Sequence, residues 1–214
     1  MKLYFPRTPR ILMRFFSKYT WRFNTDKKEI FLTFDDGPTP EITEFVLSEL
    51  KQYSAKATFF CIGKNIVNHP EIFKKVLKEG HSIGNHTHNH LKGWQSNKND
   101  YLRNFEEAKS TIQQFSNSTN QPKLFRPPYG KIKKSQAKEI LNKDYKIIMW
   151  DVLSADFDTT ISNEECLKNV LRNTRNGSII VFHDSVKASE KVRYVLPKIL
   201  KEFSEKGYEF SKIE

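Results

Sequence analysis

Residues 30–38 read Ile-Phe-Leu-Thr-Phe-Asp-Asp-Gly-Pro, an apolar run that stops at two adjacent carboxylates and a Gly-Pro turn. The run predicts a buried β-strand. Side chains of a continuing strand alternate between its faces, so only the turn allows Asp35 and Asp36 to converge. If one carboxylate binds a divalent cation and the other takes a proton from the metal's water, the pair supplies two parts of a metal-assisted hydrolysis.

Downstream of this stretch, short apolar runs alternate with longer amphipathic ones. Seven runs are predicted as strands: 30–34, 57–62, 81–85, 123–126, 146–151, 178–183 and 208–213. Helices are predicted over 40–53, 70–78, 100–115, 135–142, 163–172 and 190–205, and residues 116–121 as a polar loop. This alternation is typical of parallel strands joined by crossover helices. The chemically suggestive residues follow strand ends, as in barrel active sites, so we expect an α/β fold with a distorted (β/α) barrel of about seven parallel strands.

Composition narrows the function classes. The chain has 214 residues and a formal charge of +11, which favours contact with polyanions. A nucleic-acid-binding sheet would interleave exposed aromatic and basic residues, whereas the strands here are apolar, so no nucleic acid partner is expected. No glycine-rich phosphate loop follows a strand, which argues against nucleotide binding. Cys61 and Cys166 lie in apolar or helix-like stretches, and we expect both to be buried without a disulfide.

The N-terminal segment, residues 1–28, is strongly basic. Six basic residues precede the first acidic one, Asp26: Lys2, Arg7, Arg10, Arg14, Lys18 and Arg22. Read as a helix after Pro9, the segment sets this basic row beside an apolar row of Ile11, Phe15, Tyr19 and Phe23. We expect the helix to pack on a catalytic domain of residues 29–214, with a membrane-surface anchor as the alternative.

Short apolar runs in this segment predict neither a secretory signal nor a membrane span. A cytoplasmic location is therefore expected, with peripheral contact to a membrane surface as the alternative. The protein is also expected to be a monomer.

Histidines are concentrated in residues 81–90, which hold four of the six in the chain. Imidazoles are common metal ligands, so this cluster next to an Asp-Asp strand end predicts a metal site. On an extended strand His86, His88 and His90 would share a face, whereas a tight turn would bring His86 and His90 together. The spacing leaves both sets open.

Two further strand ends carry polar groups. Residues 125–130 read Phe-Arg-Pro-Pro-Tyr-Gly, a stiff turn that can aim a backbone N–H at an oxyanion. His183 ends the apolar run 179–182 and is a candidate general acid. Asp156, which follows the run before it, is a candidate to hold the imidazole and to favour its charged form.

Taken in order, residues 33–38, His86-Thr-x-x-His90, residues 126–129, Asp156 and Val181-x-His183 resemble the five motifs of the polysaccharide deacetylases of carbohydrate esterase family four. The resemblance runs from about residue 30 to the C-terminus. It implies a distorted barrel and a hydrolase of carbon–nitrogen bonds other than peptide bonds. The implied reaction is metal-dependent removal of an N- or O-acetyl group from an acetylated carbohydrate, most often N-acetylglucosamine in a glycan or glycoconjugate.

The same resemblance implies the metal site and the base. Asp36, His86 and His90 match the three ligands of one divalent ion, with zinc as the first choice and cobalt or nickel as alternatives. His88 stays outside this set. Asp35 matches the catalytic base.

Other matched positions complete the implied machinery. Arg126 matches the residue that orients the base, and the backbone N–H of Tyr129 matches the hydrogen-bond donor to the oxyanion. His183 matches the catalytic acid, and Asp156 matches the residue that adjusts the pKa of that acid. Two positions depart from the family: Phe157 stands where tryptophan is usual and Val181 where leucine is usual. Both line the acetyl pocket in the family, and with Tyr129 and Pro128 they are the predicted substrate contacts.

Three alternatives remain beside the sugar deacetylase. In these alternatives the protein is a hydrolase of a non-sugar amide, an esterase of O-acetyl groups, or a catalytically weak sugar-binding protein. The last would require a missing ligand or acid, and none is missing from the sequence.

Overall fold

The computed structural model describes residues 4–116 and 122–214, so residues 117–121 of the predicted polar loop lie outside it. The described part contains eight strands: β1 (Glu29–Asp35), β2 (Ala57–Cys61), β3 (Ser82–Asn85), β4 (Leu124–Phe125), β5 (Lys146–Ile147), β6 (Val152–Leu153), β7 (Ile179–His183) and β8 (Glu209–Phe210). Its α-helices are α1 (Arg10–Phe15), α2 (Ile42–Gln52), α3 (Gly63–Asn68), α4 (Pro70–Lys78), α5 (Lys98–Ser116), α6 (Lys134–Leu141), α7 (Asn163–Asn173) and α8 (Ser189–Glu205).

All strand pairs are parallel, and the sheet order is β5-β4-β3-β2-β1-β7-β6, with β8 also paired to β1. Helices follow most of the strands, and the sheet curls into a distorted (β/α) barrel, so the predicted fold class is confirmed. The central strand β1 is buried from Ile30 to Asp35. Its register sets Asp35 level with Phe60 of β2 and His183 of β7. Parallel pairing therefore brings the polar strand ends to one edge of the sheet.

One predicted strand is shorter than expected, and the strand that follows it was not predicted. The run 146–151 forms only the two-residue β5, and β6 follows after four residues at the opposite end of the sheet path. Between β5 and β6 the chain pairs partly with the N-terminal segment, although the Ile148 N–H still donates to the Phe125 carbonyl of β4 at 2.8 Å and the Asp151 N–H to the Ile179 carbonyl of β7 at 3.2 Å. The Thr20 N–H donates to the Ile147 carbonyl at 2.9 Å, and the Met149 N–H donates to the Thr20 carbonyl at 2.7 Å.

The N-terminal segment thus lies between the two end strands of the sheet. Thr20 bridges to Ile148 in parallel, and Arg7 bridges to Val152 in antiparallel fashion. The Leu153 N–H donates to the Pro6 carbonyl at 2.9 Å. Backbone groups that an open sheet edge would leave unpaired are satisfied in this way. The boundary between residues 28 and 29 stays a prediction.

The predicted apolar row of this segment does not form one packed helical face. Helix α1 ends at Phe15 because the chain must become extended to pair at Thr20, and α1 has no buried residue. Phe15 is 79% exposed and Ile11 66%, whereas Phe23 packs on Phe31 with ring centroids 4.3 Å apart. No helix in the described residues is long and apolar enough to cross a membrane.

The main core lies between the sheet and helices α2, α7 and α8. Cys61 and Cys166 are both buried and free, so the expected absence of a disulfide is confirmed.

Candidate active site

Three potential metal ligands converge where β1 and β3 end. Asp36, His86 and His90 each offer one donor atom, and these atoms lie within 4.8 Å of one another. The Asp36 Oδ1 atom is 3.6 Å from His86 Nε2 and 3.3 Å from His90 Nε2. Burial lowers the pKa of His86 and that of His90, although Asp36 opposes the effect at His90. Both rings are therefore neutral near pH 7, and their approach to Asp36 is not an ion pair.

The donor atoms fit a bound cation. Asp36 Oδ1 is buried and has no hydrogen-bond partner among the described residues. A buried carboxylate oxygen without a partner is costly unless a cation compensates it. Two neutral imidazoles and one carboxylate are a ligand set that zinc accepts in catalytic sites. The three residues therefore form a candidate metal centre.

Neighbouring groups hold these ligands in place. The Nδ1 of His86 lies 2.8 Å from the Arg126 carbonyl, so it donates there and leaves the Nε2 lone pair facing the other ligands. The Asn65 side-chain amide donates to the Asp36 carbonyl at 2.7 Å. Asp36 and His90 have φ values of 84° and 53°, in the region that L-residues rarely adopt. Such strained conformations cluster at functional sites.

His88 lies apart from the metal centre. Its Nε2 is 3.2 Å from the Glu107 carboxylate on α5. The strand β3 ends at Asn85, so residues 86–90 form a turn rather than an extended face. The histidine spacing left two ligand sets open, and the structure brings together His86 and His90, the pair predicted for a tight turn.

Asp35, the last residue of β1 and the neighbour of Asp36, pairs with Arg126. The Nη1 of Arg126 donates to Asp35 Oδ1 at 2.7 Å and to the Thr33 hydroxyl at 2.7 Å. The Nε and Nη2 groups donate to the carbonyls of Ile148 and Met149 at 3.1 and 3.0 Å. Burial raises the pKa of Asp35 to about 6 against the opposing effect of Arg126. The carboxylate is thus ionised near neutral pH and held in one orientation, as a general base requires.

Replacing Arg126 by Leu is expected to destabilise the protein by about 3–5 kcal/mol, because the change leaves Asp35 as a buried charge without its partner. Urea unfolding measures the loss. The matched control is Arg103→Leu, which removes an arginine that is 78% exposed and paired with Asp100, and costs about 0–1 kcal/mol. Equal effects of the two substitutions would contradict a structural pair at Asp35.

His183 at the end of β7 is held by Asp156. The Nδ1 of His183 lies 2.7 Å from Asp156 Oδ1, and the His183 backbone N–H donates to Asp156 Oδ2 at 2.7 Å. Burial alone would lower the pKa of His183, but the Asp156 carboxylate outweighs it and raises the pKa to about 10. The imidazole is therefore protonated at neutral pH and can serve as a proton donor.

The predicted substrate contacts surround these groups. Pro128, Tyr129 and Gly130 form a short 3₁₀ turn in which Tyr129 has φ 59°. The Tyr129 ring packs on His90 with centroids 4.6 Å apart. Phe157 packs edge-on against His183 at 5.2 Å, and Val181 is buried in β7.

Sequence reasoning missed the groups that fix the Asp36 turn. Asp184 Oδ1 accepts the Gly37 N–H at 2.9 Å, and its Oδ2 accepts the Thr43 hydroxyl. A Cβ on residue 37 would lie 1.9 Å from the Asp184 carboxylate, so only glycine fits there. The position of Asp184 directly after His183 was the available signal. Sequence reasoning also missed the role of Thr33, whose hydroxyl accepts a hydrogen bond from Arg126. The signal for it was its position two residues before Asp35, on the same face of β1.

Comparison with known proteins places this arrangement in one family. The family model of polysaccharide deacetylases matches residues 22–148. A peptidoglycan-N-acetylglucosamine deacetylase of Bacillus cereus is 36% identical over 192 residues, which cover 89% of each protein. The peptidoglycan-N-acetylmuramic acid deacetylase PdaC of Bacillus subtilis is 30% identical over 184 residues, which cover 86% of this chain and 38% of PdaC.

A solved structure agrees in fold over almost the whole chain. The Bc1960 peptidoglycan N-acetylglucosamine deacetylase, in complex with 4-naphthalen-1-yl-N-oxidanyl-benzamide, superposes with a TM-score of 0.87 at 32% identity. The match covers 96% of this chain and 95% of that one. With the curled parallel sheet and the Asp-His-His centre at its edge, these matches show that the chain belongs to the polysaccharide deacetylase family, whose members are hydrolases of carbon–nitrogen bonds other than peptide bonds.

Proposed function

We propose that the protein removes the acetyl group from an N-acetylglucosamine-type sugar in a glycan by metal-dependent hydrolysis. The observation that carries the proposal is the convergence of three potential metal ligands beside the Arg126-held carboxylate of Asp35. The relatives named above are deacetylases of peptidoglycan sugars, and a chitin deacetylase of Saccharomyces cerevisiae is 33% identical over 181 residues. Their common substrate class is an acetylated glycan.

In this proposal Asp36, His86 and His90 hold one divalent ion, with zinc as the first choice. When bound, the ion would supply Lewis-acid polarisation of the acetyl carbonyl and of a water molecule. Asp35 takes the proton from the attacking water, and Arg126 keeps the carboxylate oriented for that transfer. Because Arg126 fixes the position of the Asp35 carboxylate, the carboxylate can take the proton from water without first having to reorient.

Two further groups complete the proposed reaction. The Tyr129 backbone N–H, presented by the strained 3₁₀ turn, donates to the oxyanion that develops on the former carbonyl oxygen. His183 then gives its proton to the departing amine, and Asp156 keeps the ring in the orientation and charge state for that step. Pro128, Phe157 and Val181 shape the pocket for the methyl group.

Acetate release tests the proposal most directly. Metal-depleted protein is assayed on N-acetylglucosamine oligosaccharides and on the monosaccharide, with and without added Zn²⁺ or Co²⁺. Added metal is expected to restore turnover on the oligosaccharides. Absence of acetate release under every metal condition would favour a sugar-binding protein with weak or no catalysis.

Phe157 and Val181 differ from the residues that are usual in the acetyl pocket of the family, so the pocket could favour a different acyl substrate. A second set of substrates is therefore tested in the same assay. Small non-sugar amides and O-acetylated sugars test whether the altered pocket serves another acyl group. If the protein hydrolysed either of these classes faster than the N-acetylated oligosaccharides, the N-acetylated sugar would not be its preferred substrate. A monomeric state stays a prediction.

The pH dependence of turnover tests the acid. His183 must be protonated to donate, so activity falls as pH rises through its pKa. Removing the negative charge in Asp156→Asn is expected to lower that pKa and to move the alkaline limb of kcat/KM down by about 1–3 pH units. The control is Asp144→Asn, at a carboxylate 86% exposed, which should leave the profile unchanged. An unmoved limb in Asp156→Asn would assign Asp156 a structural role only.

A further inference from the structure

The N-terminal part of the molecule exposes an unusual amount of apolar side chain. Seven large hydrophobic residues are exposed within the described parts of the chain, and four of them lie between residues 5 and 15. Phe15 and Ile11 of α1 are 79% and 66% exposed, and no residue of this helix is buried. Clusters of exposed apolar side chains on a folded protein mark interaction surfaces.

Basic side chains from two separate elements surround this cluster. Arg10 and Arg14 on α1 and Lys18 just after it are exposed, as are Lys134 and Lys138 on α6. A cavity of about 440 Å³ lies between residues 15–19 and helix α6 with the residue after it, and its lining includes Phe15, Lys18, Lys134 and Lys138 but no acidic residue. No carboxylate within residues 4–116 or 122–214 forms an ion pair with any of these five cations. We call these five cations, with Ile11 and Phe15, the N-terminal surface.

We propose that the N-terminal surface docks on an anionic lipid bilayer. A short helix with exposed aromatic and aliphatic side chains beside these cations fits the boundary between headgroups and acyl chains. Lysine and arginine side chains near such a surface each gain from its negative potential. The helix α1 has only six residues, so it would lie on the bilayer rather than cross it.

Charge argues against a second copy of this chain as the occupant. A symmetric dimer places the same patch of both copies face to face, which would bring five cations against five others. An anionic membrane instead complements both the charge and the apolar side chains. Five of the seven residues of this surface precede residue 22, where the match to the family model begins, and none of the seven is among the predicted catalytic or metal-binding residues.

Docking would bring the candidate active site close to the bilayer. The side chains of Leu12 and Phe16, on and just after α1, line a second cavity of about 500 Å³ that is also lined by Tyr129. The N-terminal surface and the substrate side of the molecule thus share one structural element. The binding test below measures membrane association alone, so its outcome is independent of the proposed hydrolysis.

Co-sedimentation of the full chain with vesicles tests the proposal. Vesicles of phosphatidylcholine alone are compared with vesicles that contain phosphatidylglycerol, at low salt and at about 0.5 M salt, where screening is strong. Binding is expected only to the anionic vesicles and is expected to weaken at high salt. Absence of binding to anionic vesicles at low salt would overturn the proposal.

Matched variants distinguish the contribution of the N-terminal surface to vesicle binding from that of the protein's overall positive charge. Changing Lys18, Lys134 and Lys138 to Gln should lower the partition coefficient on the order of 100-fold, about fivefold per lysine. The control changes three exposed lysines elsewhere, Lys51, Lys74 and Lys78, to Gln and should have a much smaller effect. Equal losses in the two triple variants would overturn the proposal in favour of unspecific attraction.

The apolar contribution has its own control. Phe15→Ser should weaken vesicle binding about tenfold or more, because an aromatic side chain no longer enters the interface. Val67→Ser, at a valine 50% exposed on α3, should not. Analytical ultracentrifugation of the unmodified protein completes the test: a dimer that Phe15→Ser dissociates would show that a second copy covers this surface.

Discussion

Replacing Asp36 by Ala is expected to abolish metal binding and to lower kcat/KM by at least about 10³-fold, since the Lewis-acid contribution of a catalytic ion amounts to several kcal/mol. The geometry gives the reason: Asp36 Oδ1 is the atom that faces both His86 and His90. Without it only two neutral imidazoles remain, one fewer than the three protein ligands of a catalytic zinc site. Elemental analysis after equilibration with Zn²⁺ and acetate release under the same conditions measure the two losses.

Thermal melts give this substitution a second signature. A ligand that binds only the folded state stabilises it, so Zn²⁺ should raise the Tm of the unmodified protein and leave that of Asp36→Ala unchanged. In the metal-free proteins the substitution should cost little stability, because it removes a buried carboxylate oxygen that lacks a partner. Asp144→Ala, at an exposed carboxylate, is the control and should keep the full response to Zn²⁺. A full Zn²⁺ response in Asp36→Ala would refute the assignment of Asp36 as a ligand.

The substitution Asp35→Asn should fail in a different way. It removes the base while nearly preserving shape, so kcat is expected to fall by about 10²–10⁴-fold with the metal still bound. The buried side chain of Asp35 accepts a hydrogen bond from Arg126 and is not one of the three potential metal ligands, which is why metal content and activity should separate. Single-turnover acetate release by zinc-loaded protein, with metal content measured on the same sample, reports both quantities.

A second buried carboxylate provides the matched control. Asp151 accepts hydrogen bonds from the Ser178 hydroxyl and the Ile179 N–H and lies outside the set of predicted catalytic groups. Asp151→Asn should therefore lower the free energy of unfolding without lowering kcat per folded molecule. If Asp35→Asn kept most of its activity at saturating metal, the base would have to be another group.

Local pattern was enough to predict the framework of the site. The apolar run that ends at Asp35, the histidine turn before His90 and the stiff turn after Arg126 all lie where the sequence indicated strand ends. Strand and turn preferences are set by neighbouring residues, and parallel pairing then brings such ends to one edge. The resemblance to one family added the roles of these residues.

Tertiary structure alone decided the path of the N-terminal segment and the supports of the metal ligands. A basic amphipathic pattern predicted a longer helix, but Thr20 pairs with Ile148 between the end strands, so the helix stops at Phe15 and leaves that side chain exposed. Asn65 and Asp184 reach the Asp36 turn from positions 29 and 148 residues further along the chain. Contacts of this kind depend on how the curled sheet ends and what remains unpaired there, and local sequence preferences do not encode that closure.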